Sequence, residues 1–417
     1  MVRRLSFFIL AAIALAATPA FAKPKATVIH DFGSTSADGY SQPSLISDGA
    51  GNLFGTLIYG GQFGHGVVFK MDQNGVETII YSFSGGTKDG AEPSSLTIDS
   101  KGNLYGTTEG GGVGNAGTVF QLKPKKNGTW KESVIYGFCS LTNCADGNEP
   151  IGAVTIGPKG SLFGTTSEGG TGGITGGVIF RLDPTKGNKA LWSETVLYNF
   201  CSQANCADGY GPQRVRLVLT TSGTLFGTAA YGPGFDNGTL YALNLDGSGF
   251  HVLHSFAGDS SDGGRPITGV VADSNGVLYG TTFELGANFA GIVYSFDPSS
   301  SAYQQIYVAP GQKPAPAIFG SDLAVVQNGK SITLYGVSLE GGANGPGIGN
   351  GGALYSLQSP KASGGSWTEK TLYSFCNKPN CADGETPNSL VDIDGVLYGT
   401  TWSGGAVNRG VAFRFGE

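Results

Sequence analysis

Leu53-Phe54-Gly55-Thr56 decides the fold, because it returns six more times along the chain. The later copies are Leu104-Tyr105-Gly106-Thr107, Leu162-Phe163-Gly164-Thr165, Leu225-Phe226-Gly227-Thr228, Leu278-Tyr279-Gly280-Thr281, Leu334-Tyr335-Gly336-Val337 and Leu397-Tyr398-Gly399-Thr400. Successive copies stand 51, 58, 63, 53, 56 and 63 residues apart. A period of that size is the mark of a repeat architecture, and it fits one four-stranded unit with loops of varying length.

The second copy shows the parts. Ser95 to Asp99 alternates as a strand, and Ser100-Lys101-Gly102-Asn103 is a turn. Leu104 to Thr108 is a second strand, and the glycine-rich loop Gly110 to Gly117 leads to a third at Thr118 to Leu122. Trp130 to Phe138 carries a fourth. In the first copy Asp72-Gln73-Asn74-Gly75 links the third strand to the fourth, and Asn-Gly is a strong hairpin signal. No segment has a helical period. The prediction is an all-β chain: a seven-bladed β-propeller of four-stranded antiparallel blades.

The two ends support a closed ring. Thr27-Val28-Ile29-His30-Asp31-Phe32 matches a fourth strand such as Thr78 to Phe83, while Val411 to Phe415 matches a third. The last copy lacks a fourth strand and the N-terminus holds a spare one. Closing the ring with strand 27–32 removes the unpaired edges that an open array would expose.

Composition agrees. Gly accounts for 71 of 417 residues, well above the usual ~7%, with no Gly-X-Y period. Charged residues are 13% and apolar residues 40%, enough for a core. Arg3 and Arg4, the apolar run Leu5 to Ala17 and Ala20-Phe21-Ala22 read as a signal peptide over residues 1–22. An uncleaved anchor helix is the alternative. One domain, residues 23–417, remains. Cleavage takes Lys plus Arg from 25 to 23 against 31 acids, a net charge of −8. With no basic cluster, nucleic acid and anionic membrane are poor partners, and no later stretch suits membrane insertion. A monomer is expected.

Six cysteines form three Cys-x4-Cys pairs, Cys139/Cys144, Cys201/Cys206 and Cys376/Cys381, all at one position of the repeat. Only copies with the longer loop carry them, so local disulfides are expected, as suits an extracellular or periplasmic setting. A metal site is the other reading and lacks nearby His ligands.

The pattern Phe…Asp-Gly…Pro…Gly-x-Leu-Tyr-Gly-Thr-Thr…Gly-Gly…Gly-x-Val-Phe resembles the GloVer tandem repeat of Gloeobacter and Verrucomicrobia, found in exported bacterial proteins. The resemblance spans Thr27 to Phe415. The sixth copy departs from it, with Gly311-Gln312-Lys313-Pro314 and Val337, and no anchor follows the last strand. The resemblance implies fold and an exported location, and carries no activity.

Long loops on a rigid scaffold are the default place for function. Here these are the second-to-third and blade-to-blade links, which share one face. Asp38, Asp89, Asp146, Asp208, Asp262 and Asp383 precede Gly in the blade-to-blade loops and read as turn residues. A carboxylate ring holding Ca²⁺ is the alternative; otherwise no cofactor is called for. Pro43, Pro93, Pro150, Pro212, Pro266 and Pro387 recur where the inner strand begins.

After the Gly-Thr strand the copies carry Tyr59, Glu109, Glu168, Tyr231, Glu284, Glu340 and Ser403, an acidic rim or a set of solvated strand ends. Before the third-strand glycine, copy one has His65 and copy seven Arg409, and Trp402 is peculiar to copy seven. Phe63, His65, Trp402 and Arg409 are expected near one another across the closure, unless they are chance loop variation. His30 and His254 take the place of Tyr81 and read as packing residues, as does His251.

No Gly-x-Ser-x-Gly elbow, His-Glu-x-x-His helix, P-loop or dinucleotide fingerprint is present. The sequence therefore favours a non-catalytic extracellular module binding a glycan or a surface protein. The alternative is a polysaccharide lyase or hydrolase centred near His65, Arg409, Tyr59 and Glu109, since carboxylates and tyrosines alone can carry such chemistry.

Overall fold

The computed structural model describes residues 25–416, except 36–37, 42–43, 173–175, 186–191, 235–236, 312–314, 345–350 and 363. The signal peptide expected over residues 1–22, Pro43 and Gln312-Lys313-Pro314 lie outside the described residues. Those described form seven four-stranded antiparallel sheets and two short two-stranded ribbons, with six short 3-10 turns and no α-helix.

Each blade runs outward from the axis. In the second, the strands are Gly90–Ile98, Leu104–Gly111, Thr118–Pro124 and Trp130–Gly137. The first two extend further along the loop face than the alternation predicts, because the Asp-Gly segment pairs with the end of the Gly-Thr strand, Gly90 opposite Gly111. The seventh blade is completed by the chain's first strand. Lys25–Asp31 pairs antiparallel with Val411–Gly416, Ala26 opposite Phe415 and Asp31 opposite Val411.

The recurrent glycine has a steric cause. In every blade it lies directly across from the aromatic residue of the third strand: Gly55 from Phe69, Gly106 from Phe120, Gly164 from Phe180, Gly227 from Tyr241, Gly280 from Tyr294, Gly336 from Tyr355 and Gly399 from Phe413. The ring lies where a Cβ would stand. Covering glycine with a cross-strand aromatic recovers packing that the missing side chain forfeits.

That ring in turn meets the phenylalanine ending the preceding blade. Phe83 packs on Phe120, Phe138 on Phe180, Phe200 on Tyr241, Phe256 on Tyr294 and Phe375 on Phe413, at centroid separations of 4.8–5.2 Å. Phe32 meets Phe69 at 5.5 Å across the closure. The sixth blade shows the rule by compensation. Ala309 replaces the phenylalanine, and Phe319 takes over the contact with Tyr355 at 5.4 Å.

The buried core is accordingly seven clusters, one between each pair of neighbouring blades. One cluster joins Phe32, Ile393, Tyr398 and Ala412 to Leu45, Leu53 and Phe69, so the seam between the ends is packed like the others. The Gly-Thr threonine adds a polar tie. Thr56 donates to the Ser94 carbonyl (2.7 Å), Thr107 to Gly152 (3.0 Å) and Thr228 to Thr268 (2.6 Å), each in the next blade.

Candidate functional site

Four of the blade-to-blade aspartates, Asp89, Asp146, Asp208 and Asp383, are committed to structure. Asp146 is buried and accepts from the Tyr136 hydroxyl at 2.8 Å, from the Ser140 amide and hydroxyl, and from the Leu141 amide. Asp89 and Asp208 repeat the pattern with Tyr81 and Tyr198, and Asp383 repeats it with Tyr373 and the Asn377 and Lys378 amides. The disulfides Cys139–Cys144, Cys201–Cys206 and Cys376–Cys381 form locally around this turn, with Cα atoms 4.0–4.1 Å apart. The Cys144 carbonyl accepts from both Gly147 and Gly170, tying the two long loops of the third blade together.

A second recurrent device lies two residues after the Asp-Gly glycine, or at the corresponding Ile318 of the sixth copy, which has no Asp-Gly. Glu92, Glu149, Arg265, Ile318 and Thr386 have φ of 54–59° there, Ser41 has 72°, and Gly211 fills the position in the fourth blade. Left-handed backbone costs roughly 1 kcal/mol for a non-glycine residue. The return is a hydrogen bond to the preceding blade: Glu92 N–H to the His65 carbonyl, Glu149 to Ala116, Arg265 to Asn237, Ile318 to Ala290 and Thr386 to Gly351. Because this bond points to the preceding blade, the residue before each third-strand glycine faces the blade that follows it.

That direction sorts the residues singled out from the sequence. Arg409 of the seventh blade faces the first: its guanidinium stacks 4.2 Å above Tyr40, and its methylenes lie where a Cβ on Gly33 would stand. Tyr40 contacts Tyr59 at 5.6 Å, and the Trp402 indole donates to the Ser41 hydroxyl at 3.1 Å. Arg409, Trp402 and Tyr59 thus meet through Tyr40 and Ser41. His65 faces the second blade, its ring against Gly85. Phe63 is exposed in the same loop.

The acidic rim divides similarly. Glu284 pairs with Arg265 (3.4 Å), whose guanidinium also lies over Tyr231 and Phe283. Burial, and after it the nearby Glu284 carboxylate, raises the pKa of Glu340. Glu109, Glu168 and Tyr231 instead line a cavity of about 530 Å³ at the loop-side mouth of the ring, with Glu149, Tyr210 and Arg214. Tyr210 and Tyr231 stack there with centroids 5.1 Å apart and planes 24° from parallel. The Glu168 carboxylate accepts from the Asn148 amide (3.2 Å) and that of Glu149 from Ser167 (3.3 Å). Burial, then Glu92, raises the Glu109 pKa, with Arg214 opposing. Burial, then Glu168 and Glu109, raises that of Glu149.

Below the mouth runs an axial channel of about 570 Å³ lined by inner strands. Arg216 crosses it to donate to the Leu96 carbonyl at 3.0 Å. Burial raises the pKa of Asp322, against the pull of Arg216. Arg214, Arg216, Asp322, Glu149 and Tyr210 were not singled out from the sequence. The available signal was two arginines in the inner strand of copy four and an aspartate in that of copy six, where the other copies carry uncharged residues.

A seven-bladed propeller with a polar, aromatic-lined mouth is the class that fold and site define. Residues 18–233 and 214–417 match the Gloeobacter/Verrucomicrobia repeat, and the chain belongs to that repeat family. No curated protein matches it. Among solved structures it is similar to a putative 6-phosphogluconolactonase from Bacteroides uniformis, with 15% identity, 87% of this chain and 94% of that one covered, and a TM-score of 0.47. It is also similar to a protein of unknown function from Dyadobacter fermentans (12% identity, 94% and 98% covered, TM-score 0.46). A gluconolactonase from Xanthomonas campestris aligns at 12% identity over 75% of this chain and 86% of that one, with a TM-score of 0.44.

Proposed function

We propose that the chain is an exported binding module that takes a saccharide into the loop-side mouth of the ring. The observation that carries this reading is the stacked Tyr210–Tyr231 pair beside the Glu109, Glu149 and Glu168 carboxylates in one cavity. Sugar rings present apolar faces to aromatic side chains, while carboxylates and amides accept and donate to the hydroxyls. Arg214 adds a cation for an acidic sugar. The Arg409, Trp402 and Tyr59 group across the closure offers an exposed aromatic surface for a longer chain, with Trp402 38% and Tyr59 42% exposed.

The disulfides favour export, and among the described residues no helix is long and apolar enough to cross a membrane. Fractionation of the producing cell that left the chain in the cytosol would reject export.

A glycan array probed with wild type, Tyr231→Ala and Glu168→Gln tests the binding. Retention of a saccharide by wild type, weakened at least about tenfold in both variants, is expected. No retained glycan, or unchanged retention by both variants, overturns the reading. Catalysis is the second reading, favoured by the carboxyls of Glu109 and Glu149, whose pKa is raised first by burial and then by neighbouring carboxylates. It requires reducing-end or unsaturated products that disappear in Glu109→Gln.

A further inference from the structure

We propose that His30, Asp38 and Glu77 form a transition-metal site, of the Zn²⁺ class, at the seam where the ring closes. His30 lies in the chain's first strand, Asp38 in the loop entering the first blade, and Glu77 in that blade's outer strand.

The geometry points to a cation rather than to hydrogen bonds. His30 Nε2 is 3.8 Å from Asp38 Oδ2 and 3.6 Å from Glu77 Oε2, beyond hydrogen-bonding reach. One nitrogen and two carboxylate oxygens, one from each residue, lie within 4.8 Å of one another. Two donors on a tetrahedral zinc, with bonds of about 2.1 Å, stand about 3.4 Å apart. Three buried atoms here have no hydrogen-bond partner: His30 Nε2, Asp38 Oδ1 and Glu77 Oε1. Asp38 is only 6% exposed. Buried polar atoms are normally paired, so three unpaired ones on facing side chains require an explanation.

The repeat supplies the contrast. At the same position other blades place a tyrosine that reaches its aspartate directly: Tyr81–Asp89 at 3.0 Å, Tyr136–Asp146 and Tyr198–Asp208 at 2.8 Å, Tyr373–Asp383 at 2.6 Å. His254 also reaches Asp262, at 2.8 Å, and Tyr303 stacks on it where the seam has Glu77. Asp38 Oδ2 accepts from the Ser34 amide at 3.1 Å, and among the described residues only at the seam do an imidazole and two carboxylates meet with no hydrogen bond between them. An imidazole donor favours Zn²⁺ and its neighbours over Ca²⁺ or Mg²⁺. Three protein ligands leave a fourth position for water.

The test uses the oxidised chain stripped with EDTA and titrated with Zn²⁺ by calorimetry, with Co²⁺ absorption as a second readout. Wild type takes up one equivalent and its thermal midpoint rises, because the ion binds the folded state. His30→Tyr installs the side chain of the other blades and weakens that binding at least fiftyfold while folding normally in EDTA. Glu77→Gln weakens it too, and His254→Tyr leaves it unchanged. No uptake by wild type, undiminished uptake by His30→Tyr and Glu77→Gln, or equal loss in His254→Tyr overturns the site.

Discussion

Tyr136 at the rim of the second blade donates its phenol to Asp146 in the loop entering the third, 2.8 Å away, and fixes the angle between two blades through one buried carboxylate. The Ser140 amide and hydroxyl share that acceptor oxygen, so the loop and the strand end are anchored at one point.

Removing the acceptor orphans several donors at once. Asp146→Ala should destabilise the chain by about 3 kcal/mol, and Tyr136→Phe by about 1 kcal/mol, because the second removes a donor without stranding one. Urea unfolding, read as a shift in midpoint at constant slope, checks both.

Gly164 has ordinary backbone angles, so its substitution tests sterics alone. A Cβ there would stand 2.5 Å from the Phe180 ring. Gly164→Ala should cost about 1–3 kcal/mol by overpacking. Adding Phe180→Leu should recover part of that loss, making the double variant less unstable than the sum of the two. Simple additivity in thermal unfolding would show that the ring does not guard the glycine.

Glu132 and Glu194 are each pushed up to about 7, first by burial and then by Asp89 and Asp146 respectively. The unfolded value is about 4.3. Between these limits the folded state binds more protons, so stability falls as pH rises from about 4.5 to about 7 and stays lower above that. Glu194→Gln should raise stability at pH 8 by about 2 kcal/mol and leave it nearly unchanged at pH 4. Thermal midpoints across that range give the comparison, and a midpoint that rises with pH contradicts it.

Each disulfide spans a sequence separation of 5 and restrains only a short loop. Replacing Cys201 and Cys206 together by serine should cost roughly 2 kcal/mol by the chain-entropy account. Blade structure should survive, as judged by far-UV circular dichroism. Peptide mapping without reductant should find the three local pairs.

The fold was legible because its signals repeat. Seven copies of one tetrad gave the blade count, and the spare strand at the N-terminus gave the closure. The Cys-x4-Cys spacing pointed to local pairing because nothing else explained why both cysteines come and go together. The site was less legible, for a physical reason. Alignment of copies says which residues are equivalent, but not which neighbouring blade a loop faces. His65 and Arg409 hold one repeat position on adjacent blades, and each reaches forward to the blade after its own. They therefore touch different partners, Gly85 and Tyr40. Tyr210 and Arg214 were overlooked because each reads alone as an ordinary loop or strand variant, and they join Tyr231 and Glu168 only once the blades are arranged about the axis.

The pairing of Lys25–Asp31 with Val411–Gly416 has a temporal consequence. The propeller's earliest strand in chain order has its partner in the latest. Every intervening blade can assemble beforehand, yet the circle stays incomplete and a strand edge stays available to foreign chains until that last strand is made. Contacts of such long sequence separation form slowly. Joining of these two strands is therefore the natural late step of folding, and the half-made ring is the species most in need of a chaperone.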